Sequence, residues 1–192
     1  MMAEWTVELA ADDPKLEIPW SSEDGQLRYF DLKHQPELLL EIPEACMYSE
    51  LAEFLSWANG RESHLETAKC DAWVSREMDA EDEVFGEACK FTSYVDLLLA
   101  SPSRERLADN EEFVQNLARL LRHAPEMSSA AEFIVRGCLD RRVSHQGSEC
   151  FYITFYLHGY GEDEQQAQKR WGIALKLVQN AMTQFFSSRS QS

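Results

Sequence analysis

Four stretches of this chain set their apolar residues at a period of two, and that alternation limits what it can fold into. In residues 67–74, Ala68, Cys70, Ala72 and Val74 alternate with Thr67, Lys69, Asp71 and Trp73. In residues 89–97, Cys89, Phe91, Ser93, Val95 and Leu97 alternate with Lys90, Thr92, Tyr94 and Asp96. Further on, Phe133, Val135, Gly137 and Leu139 alternate with Glu132, Ile134, Arg136 and Cys138. Then Phe151, Ile153, Phe155 and Leu157 alternate with Tyr152, Thr154, Tyr156 and His158. Successive side chains of a strand point to opposite faces, so each stretch predicts a strand with one apolar and one more polar face. An acidic turn over residues 78–86 joins the first pair, and residues 140–149 join the second. The pattern predicts two β-hairpins.

Between them the period returns to that of a helix. Residues 43–58 place Leu51, Phe54, Leu55 and Ala58 on one face, with Pro43 at the first position and Asn59-Gly60 as a left-handed stop. Residues 109–123 carry Phe113, Val114, Leu117, Leu120 and Leu121 as a stripe. Asp109 and Glu112 have capping-box spacing there, Arg119, Arg122 and His123 suit the carboxyl end, and Pro125 ends the helix. Residues 163–186 align Trp171, Leu175, Val178, Met182 and Phe185, widened by Ala174 and Ala181. Residues 1–35 divide at Asp12-Asp13-Pro14 and Ser21-Ser22-Glu23-Asp24-Gly25 into extended pieces at 5–10, 15–20 and 27–32, an N-terminal ribbon or arm whose turns fit hairpins or an edge ribbon. The order (β)-α-β-β-α-β-β-α predicts an α+β fold: an antiparallel sheet of two β-hairpins, with a possible N-terminal edge ribbon and helices packed on one face. Residues 36–188 form its single α+β domain and residues 189–192 a frayed tail. This element order resembles that of the type III secretion chaperones, short of one strand in the first half. The resemblance implies an acidic dimer.

Charge narrows the partners. The 192 residues include 18 Lys and Arg against 34 Asp and Glu, a formal charge of −16, and residues 97–192 are balanced, so the excess acid lies in residues 1–96. Nucleic-acid binding draws on cations that displace phosphate counterions, and this balance excludes it. It disfavours an anionic membrane surface for the same reason, and no apolar run reaches the roughly 20 residues of a membrane span. A basic protein or peptide remains an allowed partner. Met1-Met2-Ala3-Glu4-Trp5 lacks the basic-then-apolar order of a secretory signal. Five cysteines with no CxxC pair predict reduced thiols and a cytoplasmic protein.

The polar face of the predicted sheet collects Lys69, Asp71, Trp73, Lys90, Tyr94, Asp96, Glu132, Arg136, Tyr152, Tyr156 and His158. Aromatic rings mixed with both charge signs suit recognition, because Tyr and Trp combine apolar area with a hydrogen-bonding tip. A roof formed by the N-terminal ribbon, or plain solvation, would leave the same residues without a partner. His158, Tyr156, Asp96 and Glu132 are the candidates for acid–base chemistry, provided the strand order brings them together. Cys138, Cys150, His145 and Asp140 are the residue types of a zinc site, at spacings that match no zinc signature. Cys70 and Cys89 fall on the core side as packing residues. Cys46 opens its helix beside Glu44 and Glu50, which oppose a thiolate. Gly159-Tyr160-Gly161 reads as a tight strand-to-helix turn, since Glu162, Asp163 and Glu164 repel any anion there. The reading is a non-enzymatic binding or protein-interaction module with no catalytic residue, metal or cofactor. It is a possible homodimer through Ile173 and Leu177 of the last helix. The alternative is a small-molecule-binding protein or enzyme that uses the face around Tyr156 and His158.

Overall fold

The computed structural model describes residues 1–10, 15–22, 24–78, 85–142 and 146–189. Its strands are β1 (Met2–Glu8), β2 (Leu16–Ile18), β3 (Leu65–Ser75), β4 (Cys89–Leu99), β5 (Ser129–Asp140) and β6 (Ser148–Gly161). Its helices are α1 (Pro43–Met47), α2 (Ser49–Ala58), α3 (Leu107–Leu121) and α4 (Glu164–Arg189), with short 3-10 turns at Pro36–Glu41 and Ser103–Glu105. The strands form one sheet in the order β1-β5-β6-β4-β3, with β2 also on β5. The two hairpins therefore meet through β4 and β6, and the mixed α+β class holds.

The alternation in the sequence sets the faces. Phe91, Val95, Phe133, Val135, Ile153 and Phe155 are all fully buried beneath the helices. Each such side chain contributes roughly 1.5–3 kcal/mol by leaving water. Phe155 lies flat against Phe133, ring centroids 5.1 Å apart, and Phe54 of α2 meets it at 6.1 Å.

Several expectations are corrected. The N-terminal strands make no hairpin: β1 and β2 both run parallel to β5, along Ala130–Arg136 and Cys138–Asp140 in turn, so they extend the sheet. Ala3, Trp5 and Val7 thereby join the helix-side core. Of residues 27–32, Leu27 makes one antiparallel bridge, to Ser21. The helix expected over residues 43–58 breaks at Tyr48, whose extended backbone brings its ring against Phe91 at 4.9 Å and Trp171 at 6.2 Å. Asn59 ends α2 without a left-handed residue: its φ is −97°, and its side-chain amide donates to the Leu55 carbonyl. At α3 the capping box is absent, because Asp109 pairs with Arg106.

Two departures lie inside strands. The register of β3 against β4 slips between Thr67 and Lys69, so Ala68 leaves the helix-side core for a second cluster on the opposite face. Gly159 and Gly161 belong to β6 rather than to a turn. A Cβ on Gly159 would stand 2.3 Å from the Trp171 nitrogen, and one on Gly161 would stand 2.5 Å from the Ala167 nitrogen. These positions are bare so that α4 can lie on the strand. Among the described residues no helix is long and apolar enough to cross a membrane.

Candidate interaction surface

The face of the sheet turned away from the helices is ordered in rows by strand register. Thr6, Ile134, Thr154, Asp96 and Lys69 form one row across β1, β5, β6, β4 and β3. Glu4, Glu132, Tyr156, Tyr94 and Asp71 form the next. Met2, Ala130, His158, Thr92 and Trp73 form the third. The face has two halves with different fates.

The first half is roofed. Ile18, Leu98, Cys138, Cys150, Tyr152 and Ala68 make a small second core, with Leu16 and Tyr29 packed on it. Arg104 donates to Glu66 at 2.8 Å and to Asp140 at 3.2 Å, and Arg142 donates to Glu66 at 2.9 Å and Asp140 at 2.7 Å. Glu66 is on β3 and Asp140 on β5, three strand spacings apart, which would be about 14 Å in a flat sheet. Two guanidinium groups spanning both carboxylates means that the sheet is curled at this end, and the bulge at Ala68 supplies local twist. The stretch after β2 closes the concavity. Trp20 donates its indole N–H to the Ala68 carbonyl at 2.9 Å, and Arg142 donates to the Tyr29 hydroxyl at 2.7 Å. Burial pushes the Tyr29 phenol up to about 12. Burial works against the Asp140 carboxylate, yet its hydrogen bonds with Arg142 hold it below the usual range.

Three of the expected surface residues are absorbed at the junction of the halves. Arg136 binds Glu8 at 2.8 Å and donates to the Thr154 hydroxyl at 2.9 Å, which donates to Asp96 at 2.8 Å. Asp96 is 5% exposed, and burial pushes its carboxyl up to about 6 against the Thr154 hydrogen bond and the charges of Lys69 and Arg136. Burial also raises the phenols of Tyr94 and Tyr152. The Lys69 ammonium lies 4.3 Å from the centre of the Trp20 ring. Tyr152 belongs to the second core. Asp96, Arg136 and Tyr152 thus hold the face together.

The second half carries a strip of rings that no described element crosses. Trp73 meets Tyr94 at 6.5 Å, Tyr94 meets Tyr156 at 5.8 Å, and Tyr156 stacks with His158 at 6.5 Å and 2°. His158 continues to Tyr160 at 6.2 Å, and Tyr160 stacks on Phe85 at 4.1 Å. Trp73 is 39% exposed, and Tyr94, Tyr156 and His158 are half-buried. Glu4, Glu132 and Asp71 share the row of Tyr156 and Tyr94, and Lys90 stands opposite Tyr160 at the far end.

Of the acid–base candidates, Glu132 stands opposite Tyr156, whose ring stacks with His158, and Asp96 stands apart from them. His158 pairs with Thr92, whose hydroxyl lies 3.0 Å from Nδ1. Asp96 is four residues further along β4, about 13 Å away at strand rise. Cys138 and Cys150 face each other across β5 and β6, Cα atoms 5.1 Å apart, and form a disulfide, against the expectation of reduced thiols. His145 lies outside the described residues, among which no group of three or more His, Cys, Asp or Glu is placed to hold a metal. Cys89 is buried in the core. Burial, then the charges of Glu44, Asp71 and Asp96, push the Cys70 thiol up to about 12. On α4, Ile173 is 49% exposed while Leu177 is half-buried against the core.

Trp20, Tyr29, Glu66, Arg104 and Arg142 escaped the sequence reading. They come from separate segments and share no spacing. No protein-family model, curated protein or solved structure matches this chain.

Proposed function

We propose that the chain is a non-enzymatic protein-interaction module whose docking surface is the ring strip from Trp73 to His158, and whose partner is cationic. The observation that carries this reading is the division of one sheet face. The N-terminal segment covers one half with its own core, while the rings of the other half stay uncovered by any described element. Partly exposed aromatic clusters of this kind suit interaction sites. Glu4, Asp71 and Glu132 flank the strip, and a net charge of −16 steers a cationic partner toward it. The small-molecule reading is weaker. Clefts of 530, 510, 470 and 440 Å³ open elsewhere, and no ring of the strip stands in their walls. A homodimer through α4 would rest on Ile173 with little apolar surface beside it.

An array of random dodecapeptides tests the reading, probed with the wild type and with a Trp73→Ser, Tyr156→Ser double variant. The wild type is expected to retain peptides that combine Lys or Arg with apolar residues, and the variant to bind them at least tenfold more weakly. Equal binding by both proteins contradicts it.

A further inference from the structure

β3 ends the sheet, and its outer edge is treated differently along its length. Over the first part side chains take up three of the outward peptide groups. The Leu65 N–H donates to Ser63 Oγ at 3.1 Å, the Thr67 N–H donates to Asn59 Oδ1 at 3.0 Å, and Lys33 donates to the Leu65 carbonyl at 3.0 Å. Trp20 then takes the Ala68 carbonyl. Such sealing keeps other strands off an edge.

The bulge at Ala68 changes which residues point outward. The Ala72 N–H turns to the Asp71 carboxylate at 2.7 Å, away from β4, and the two-residue alternation places Cys70 and Val74 outward with it. The neighbouring Asp71 thus caps the Ala72 N–H, and among the described residues no side chain seals the peptide groups of Cys70 or Val74. Trp73 flanks this stretch on the open face.

A groove of 280 Å³ adjoins the same edge where the sealed part ends. Trp20, Phe30, Ile42 and Leu55 give it an apolar lining, and Glu41 and Glu44 stand on its wall. The cations there are engaged: Lys69 lies over Trp20, and Arg28 is 3.9 Å from Asp24. The two carboxylates have no such partner among the described residues. Those two carboxylates are the acidic groups the groove offers a ligand.

We propose that the β3 edge from Cys70 to Val74 takes an extended segment of a cationic partner protein as an added strand. One large apolar side chain of that segment enters the groove, and a neighbouring Lys or Arg meets Glu41 and Glu44. Main-chain hydrogen bonds supply affinity in this mode, and the groove and its carboxylates supply selectivity. The inference rests on the interaction-module reading and adds the form of the partner. A second copy of this chain fits the edge poorly, because it would bring the same acid to meet Glu41, Glu44 and Asp71.

The test takes the dodecapeptides retained by the wild type and remakes each with alternate backbone nitrogens methylated, which keeps charge and side chains but prevents strand pairing. Methylation is expected to weaken binding at least tenfold. Ala72→Pro, which removes the N–H that a partner strand would take over from Asp71, and Glu41→Lys with Glu44→Lys are expected to do the same. Each variant is first checked for an unchanged urea midpoint, and the methylated peptides give the readout without altering the protein. Binding insensitive to methylation and to Ala72→Pro, but lost in the Trp73→Ser, Tyr156→Ser variant, overturns the added strand and leaves the ring-strip reading standing. An array with no cationic peptides retained overturns both.

Discussion

The two faces of this sheet solve the same problem by different means. The helix-covered face buries a continuous apolar layer that runs from Ala3 on β1 to Leu65 on β3 and is completed by Trp171, Val178 and Met182 of α4. Its energetics are those of transfer and close packing, spread over many side chains. Among the described residues no α-helix covers the opposite face. One end is held by a small cluster around Ile18, by a two-arginine, two-carboxylate network and by a strap that adds ring contacts and single hydrogen bonds. The other end is left as rings and carboxylates. Such a division puts most of the buried apolar area on one side of the sheet.

The largest effects should come from the helix-covered face. Phe155→Ala removes a ring packed between Phe133 and Phe54 and should cost about 3–5 kcal/mol in urea denaturation. A loss under about 1 kcal/mol would mean that the layer does not pack there. Gly159→Ala comes next, at about 3 kcal/mol, because the new methyl meets helix backbone that has no side-chain freedom to give. If that variant is as stable as the wild type, α4 does not lie on β6 as described.

Between the two halves of the open face, Asp96 gives the comparison a pH dependence. Its carboxyl titrates near 6 when folded and near 3.8 when unfolded, so its protonated form is the one the fold favours. That contribution is fully present below about pH 4 and is lost as the pH rises through 6. Asp96→Asn keeps a neutral group that can still accept from Thr154. It should match the wild type near pH 4 and exceed it by about 2 kcal/mol at pH 8. Parallel stability curves for the two proteins from pH 4 to pH 8 would refute the burial of this charge. The smallest effect belongs to the strap: Tyr29→Phe removes the hydroxyl that accepts from Arg142 and should cost about 1 kcal/mol. An unchanged urea midpoint would show that the strap is held by packing alone.

The difference between the faces also explains what was legible in the sequence. Alternation in Phe91–Leu97 and Phe151–Leu157 identified the buried side of each strand, because a continuous core imposes its period on every strand that crosses it. The bulge at Ala68 broke that period without a glycine or proline to mark it. Gly159 and Gly161 were visible as glycines, but the helix backbone that demands them comes from residues 167–171, so they read as a turn. On the open face, the eleven expected residues were named from alternation, and the register places them on one side of the sheet. What divides them is Trp20 on Ala68 and Arg142 on Tyr29, contacts that span 48 and 113 residues and leave no local pattern.

The division of that face into a roofed and an open half is the central claim, and β6 crosses both. Proton relaxation enhancement by a soluble gadolinium chelate, read along the side chains of Tyr152, Tyr156 and His158, measures it directly. The account predicts strong enhancement at Tyr156 and His158 and protection of Tyr152. Equal protection of all three rings would mean that the strip is covered in the free protein, and the claim would fail.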